Sequence, residues 1–118
     1  MTLRYTKPPT QRQLRVGELI RTEISVVFSR GVIPVALENM FITVTEVRVS
    51  PDLKMATAFL TAFDGDRDKL EPMLKSLGIE IRRIITPKLN LRFSPEIRLV
   101  FDDSTDYATR IENLLNKV

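Results

Sequence analysis

The chain contains no cysteine, no histidine and no tryptophan. Without cysteine no disulfide can form, a composition that suits a reducing compartment. Without cysteine and histidine together, a structural zinc site of the usual kind is excluded. The usual general base and the thiol nucleophile are missing as well. An enzyme built on this chain would have to work with carboxylates, lysine and hydroxyls alone. There is no P-loop and no GxGxxG. No apolar run approaches the roughly 18 residues that a membrane helix needs. Met1 to Lys7 carries basic residues with no apolar core after them, so it does not read as a signal peptide.

What is present fits one globular domain. The 118 residues leave little room for a second. Net charge is +3, but its placement says more than its size. Residues 1–30 hold six basic and two acidic side chains, and residues 71–101 hold six and three. Residues 31–70 and 102–118 are each acidic by two. Two basic segments separated by acidic ones can form one basic face if the fold joins them. The bland alternative is a solvated surface.

Residues 1–10 include Pro8-Pro9 and read as a flexible basic arm. Residues 11–118 read as a single domain. From Gln11 the pattern is helical: Val16, Ile20, Ile24 and Val27 form one stripe. Arg15, Glu18 and Thr22 fall opposite. Gly31 is a natural stop, and residues 31–40 form a loop. Phe41 to Val49 alternates and is rich in β-branched residues, as a strand should be. Ser50-Pro51-Asp52 makes a turn. Met55 to Phe63 returns as the second strand of a hairpin, closed by Asp64-Gly65-Asp66. Leu70, Met73, Leu74 and Leu77 mark a second helix, interrupted at Gly78. Ile81, Ile84, Ile85 and Leu89 continue beyond it, so the pattern predicts helix, kink, helix. Pro87 should end or bend the second piece. Ile97 to Phe101 is a third strand, and Ser104 or Thr105 could cap a short terminal helix.

The order is α-β-β-α-kink-α-β with a short C-terminal helix. A helical crossover between the second and third strands should be right-handed and make them parallel. The helices would cover one sheet face, giving a two-layer α+β sandwich.

Candidate chemistry is sparse. Asp102-Asp103 precedes a helix cap, and adjacent strand-end residues point apart. Asp64, Asp66 and Asp68 have alternate spacing but lack the glycine and twelfth-position glutamate of a calcium loop; a solvated turn accounts for them. Ser76-Leu77-Gly78, with its basic flank, is the remaining candidate. Residues 75–92 hold Lys75, Arg82, Arg83, Lys88 and Arg92 against Glu80 alone. A glycine at a helix junction lets a phosphate approach the backbone, and a helix start favours an anion. Equally, Gly78 could be a kink required only by packing. The aromatic residues Tyr5, Phe28, Phe41, Phe59, Phe63, Phe93, Phe101 and Tyr107 read as core rather than as stacking platforms.

These features, in order, resemble the ribosome-binding factor A family of bacterial small-subunit assembly factors. The matching residues are Arg15-Val16, Glu18 and Ile20; then Ile42 to Val47 with Ser50-Pro51-Asp52-Leu53. Ser76-Leu77-Gly78, Ile81-Arg82, Leu91-Arg92, Pro95-Glu96-Ile97, Asp102 and Ser104 follow. The resemblance runs from about residue 11 to 115, and it rests on order and spacing rather than one motif. It implies a type II KH-like fold in which Ser76-Leu77-Gly78 replaces the usual GxxG loop. Ser76 stands where the family typically has alanine, and Pro87 is a second departure.

The resemblance further implies a non-enzymatic, cytoplasmic factor, with no cofactor, that binds the immature small ribosomal subunit and its 16S-type rRNA. It implies a part in late maturation, 5′-end rRNA processing and growth in the cold, with release linked to an assembly GTPase. A monomer is expected. The candidate RNA-binding set is Arg12, Arg15, Lys75, Ser76, Leu77, Gly78, Arg82, Arg83, Lys88 and Arg92. Two rivals remain. A generic single-strand KH module would bind short oligonucleotides well by itself. A protein-interaction module using the open sheet face would show little salt dependence.

Overall fold

Helix α1, Gln11–Ser29, begins at a capping box. The Thr10 hydroxyl accepts the Gln13 backbone N–H at 3.1 Å, and the Gln13 side-chain oxygen accepts the Thr10 N–H at 2.8 Å. Two of the helix's orphan donors are thereby satisfied. The computed structural model describes residues 8–30, 41–62 and 64–102. Residues 1–7 of the expected 1–10 arm, the 31–40 loop and the C-terminal helix lie outside the described residues.

Strands β1, Ile42–Val49, and β2, Met55–Ala62, form the expected antiparallel hairpin. Its turn is tied by local bonds. Leu53 N–H donates to the Ser50 carbonyl at 2.8 Å, and Asp52 accepts from the Ser50 hydroxyl at 2.6 Å and the Lys54 N–H at 3.0 Å. Strict alternation fails midway along β1. Val44 pairs with Leu60, but Glu46 pairs with Phe59, so Thr45 is an extra residue. This bulge shifts the inward phase from Val44 to Val47 and Val49, all buried.

Strand β3, Glu96–Phe101, pairs parallel with β2, from Met55↔Glu96 to Leu60↔Phe101. The sheet order is β1-β2-β3. Helix α1 packs on β1, the later helix α3, Leu74–Leu89, packs on β3, and the two helices touch. The core joins Ile20 and Ile24 of α1, Ala56, Ala58 and Leu60 of β2, and Ile81 and Ile85 of α3. The two-layer α+β expectation therefore holds.

The crossover corrects three expectations. The predicted Asp64-Gly65-Asp66 turn is instead the start of helix α2, Asp64–Leu70. Fully buried Leu70 anchors its end, and the Arg67 guanidinium lies 4.6 Å from the centre of the Phe101 ring. Next, the interruption is a 3-10 turn at Glu71–Met73, with Pro72 inside it, not a kink at Gly78. Helix α3 runs from Leu74 to Leu89 straight through Gly78. Finally, Pro87 does not end the helix early. A proline inside a helix costs about 3 kcal/mol, and burying Leu89 beyond it offsets about 1.5–3 kcal/mol of that. The helix closes at Asn90, whose positive φ of 55° forms a left-handed cap.

Candidate nucleic-acid interface

The two expected basic segments do meet. An open groove of about 760 Å³ is lined by Arg12, Lys54, Arg82 and Arg92, with Asp52 and Glu96 as its acids. Leu53, Leu91, Phe93 and Ser94 complete the lining. Each cation comes from a different part of the chain. Arg12 lies in the first turn of α1, Lys54 follows the hairpin turn, Arg82 is midway along α3, and Arg92 lies between α3 and β3.

Backbone and side-chain bonds hold these parts together. The Glu96 N–H donates to the Lys54 carbonyl at 2.9 Å, tying the α3–β3 loop to the hairpin turn. Arg82 donates one guanidinium N–H to the Ser94 carbonyl at 2.8 Å. The Thr86 hydroxyl lies 2.7 Å from that of Ser94. Helix α3 thus grips the loop that presents Arg92 and Phe93. One of the two groove acids is partly committed: bonds from Ser50 and Lys54 hold the Asp52 carboxyl below its ordinary value of 3.8. Among the described residues, Arg12, Lys54 and Arg92 form no salt bridge. Their donors remain available to an anion.

The predicted set divides. Arg12, Arg82 and Arg92 converge on the groove. Lys75 is exposed on the same helical ridge as Ile79 and Arg82, spaced four and three residues along α3. Arg15 and Lys88 are exposed outside the groove lining. Arg83 is exposed but paired with Glu80, which raises the guanidinium's pKa and lowers that of the carboxyl. The Ser76 hydroxyl donates back to the Met73 carbonyl at 3.1 Å.

Leu77 and Gly78 are buried, unlike the basic members of the candidate set. Gly78 faces β3 so closely that a Cβ would meet the Ile97 carbonyl oxygen at 2.7 Å. Strand backbone therefore occupies the side of Gly78 on which a side chain would project.

Two contributors escaped the sequence reading. Lys54 follows the Ser50-Pro51-Asp52 turn, where the sequence pattern points to backbone geometry alone. Phe93, expected in the core with the other aromatics, is 75% exposed, as is Phe41. A usable signal was there: Phe93 lies in Leu91-Arg92-Phe93-Ser94-Pro95, outside any helical or strand stripe. Asp102 is buried and accepts the Thr45 hydroxyl at 2.6 Å, a bond that ties β3's end to the β1 bulge. Asp103 lies outside the described residues.

A three-stranded mixed sheet backed by helices on one face, with cations converging where a helix end, a turn and a loop meet, defines a KH-like class of α+β domain. The family model described as ribosome-binding factor A matches residues 12–115. The chain belongs to the ribosome-binding factor A family. It is 41% identical over 119 residues to ribosome-binding factor A of Pelagibacter ubique, covering 99% of this chain and 98% of that one. Among solved structures, it is similar in fold to the crystal structure of ribosome-binding factor A from Thermus thermophilus. That match has a TM-score of 0.60 at 13% identity, over 75% of this chain and 94% of the other. A further match is to Thermus thermophilus coordinates fitted into a cryo-EM map of a 30S–RbfA complex. Its TM-score is 0.51 at 15% identity, over 80% and 94% of the two chains.

Proposed function

We propose that this chain binds the immature small ribosomal subunit through its 16S-type rRNA and assists late maturation without catalysing a reaction. The observation that carries this reading is the convergence of Arg12, Lys54, Arg82 and Arg92 on one groove. Family membership supports the choice of target, since the Thermus thermophilus protein was fitted in a 30S complex.

The mechanism is electrostatic and geometric. Lys and Arg side chains neutralise phosphates and release condensed counterions, which supplies affinity. Donors fixed by the α3–β3 loop set the orientation of the RNA. Binding favours one rRNA conformation until later assembly steps stabilise another, a shift bounded by the differential affinity for the two. We assign this action to the maturation stage that includes 5′-end rRNA processing and to growth in the cold. Release is assigned to an assembly GTPase acting on the same subunit, and the working form to a cytoplasmic monomer.

Co-sedimentation with purified small and large subunits over a salt series tests the reading. Small-subunit binding should have a log–log salt slope of about −3, as expected for about four neutralised phosphates. A slope near zero, or equal binding to large subunits, rejects it.

A further inference from the structure

We infer that Phe93 is a stacking platform for one unpaired RNA base, set within the cationic groove. This rests on the rRNA-binding reading and adds the form of RNA that the groove accepts. A phenylalanine left 75% exposed forfeits most of its possible burial. The ring lines a groove in which Arg12, Lys54, Arg82 and Arg92 surround it together with Leu53 and Leu91. The Arg92 guanidinium carbon lies 5.5 Å from the ring centroid, within cation–π range. Arg92 can therefore order the ring while leaving most of it accessible.

The loop is also held in place. Its next residue, Ser94, receives the Arg82 bond at 2.8 Å and meets the Thr86 hydroxyl at 2.7 Å. Pro95 follows, fully buried, so the chain is anchored immediately beyond the ring. A ring on an anchored loop loses little freedom when a base stacks on it.

The ligand class follows from the geometry. In an A-form duplex each base face is covered by its neighbours, and side chains reach chiefly phosphates and hydroxyls. An exposed aromatic gains nothing from such a helix. A base turned out of a loop, bulge or strand end offers its π-face, while the flanking phosphates meet the surrounding cations. The groove is thus suited to a junction between paired and unpaired RNA rather than to continuous duplex.

The absence of tryptophan makes the test direct. Phe93→Trp in the full chain introduces a single indole at the platform. Its emission should be quenched by a short oligoadenylate and left unchanged by a blunt-ended, fully paired RNA duplex. Phe93→Ala should weaken oligoadenylate binding roughly tenfold without changing the salt slope, because no phosphate contact is lost. Unquenched indole emission with oligoadenylate, or unchanged affinity of Phe93→Ala, overturns the platform. Co-sedimentation of the same variants separates the two readings. Salt-dependent small-subunit binding without quenching removes the platform and leaves the subunit reading in place. Quenching by oligoadenylate without selective small-subunit binding does the reverse.

Discussion

Gly78 of α3 lies against the Ile97 carbonyl of β3, where an added Cβ would stand 2.7 Å from the oxygen. Gly17 of α1 repeats the arrangement on the other edge strand, with the Val47 carbonyl 2.8 Å from its would-be Cβ. Each helix is seated on its own strand by a glycine. The opposing atoms are backbone, which cannot turn aside as a side chain can.

Replacing Gly78 therefore sets two effects against each other. Alanine improves helix propensity by about 1 kcal/mol. Overpacking a closed contact costs about 1–3 kcal/mol. The contact should win narrowly for Gly78→Ala and clearly for Gly78→Val, whose branched carbon is larger. Urea unfolding should show a lower midpoint in that order. An unchanged midpoint for Gly78→Val would mean that the helix can lift from the strand at no cost.

Gln13 should matter more than its polarity suggests. It is buried, completes the capping box, and donates its side-chain amide to the Val49 carbonyl at 2.9 Å. Gln13→Ala removes the cap partner and leaves a buried carbonyl unpaired, a loss of about 2 kcal/mol. Thermal unfolding checks it, and a loss no larger than that of an exposed substitution would contradict the assignment.

Arg82 and Arg83 are adjacent but not equivalent. Arg82 lines the groove and grips Ser94, while Arg83 pairs with Glu80 outside the groove lining. Arg82→Ala should weaken small-subunit binding severalfold, with the salt slope about one unit shallower. Arg83→Ala should bind nearly as the parent does. Equal losses from the two would mean that the helix face, not the groove, meets RNA.

The hairpin turn should respond to acid. Bonds from the Ser50 hydroxyl and Lys54 N–H hold the folded Asp52 carboxyl below its ordinary value of 3.8. A depressed folded pKa stabilises the fold above the unfolded value, and that stabilisation is lost as pH falls through the folded value. Carboxyl-detected NMR titration should place Asp52 below its ordinary value, and Ser50→Ala should raise it. No change in Ser50→Ala would remove the hydroxyl as the principal cause.

Much of this was legible because it is periodic or local. The α1 stripe of Val16, Ile20, Ile24 and Val27 is wholly buried. The hairpin around Ser50-Pro51-Asp52 and the parallel third strand also match their residues. The bulge at Thr45 was less visible, since one extra residue merely shifts an alternating pattern. Helix α2 was missed because Asp64-Gly65-Asp66 has turn composition, and only Leu70 in the core shows why it coils.

Sequence alone determined helix α1, the hairpin, the third strand, the two-layer class and the presence of two basic segments, because each depends on neighbours along the chain. Tertiary structure alone decided which basic residues converge and what Gly78 does. Those outcomes depend on contacts between residues far apart in sequence, such as Glu96 with Lys54 and Gly78 with Ile97. A glycine that can open a backbone to phosphate is also one that can admit a neighbouring strand. Only the position of β3 chose between them.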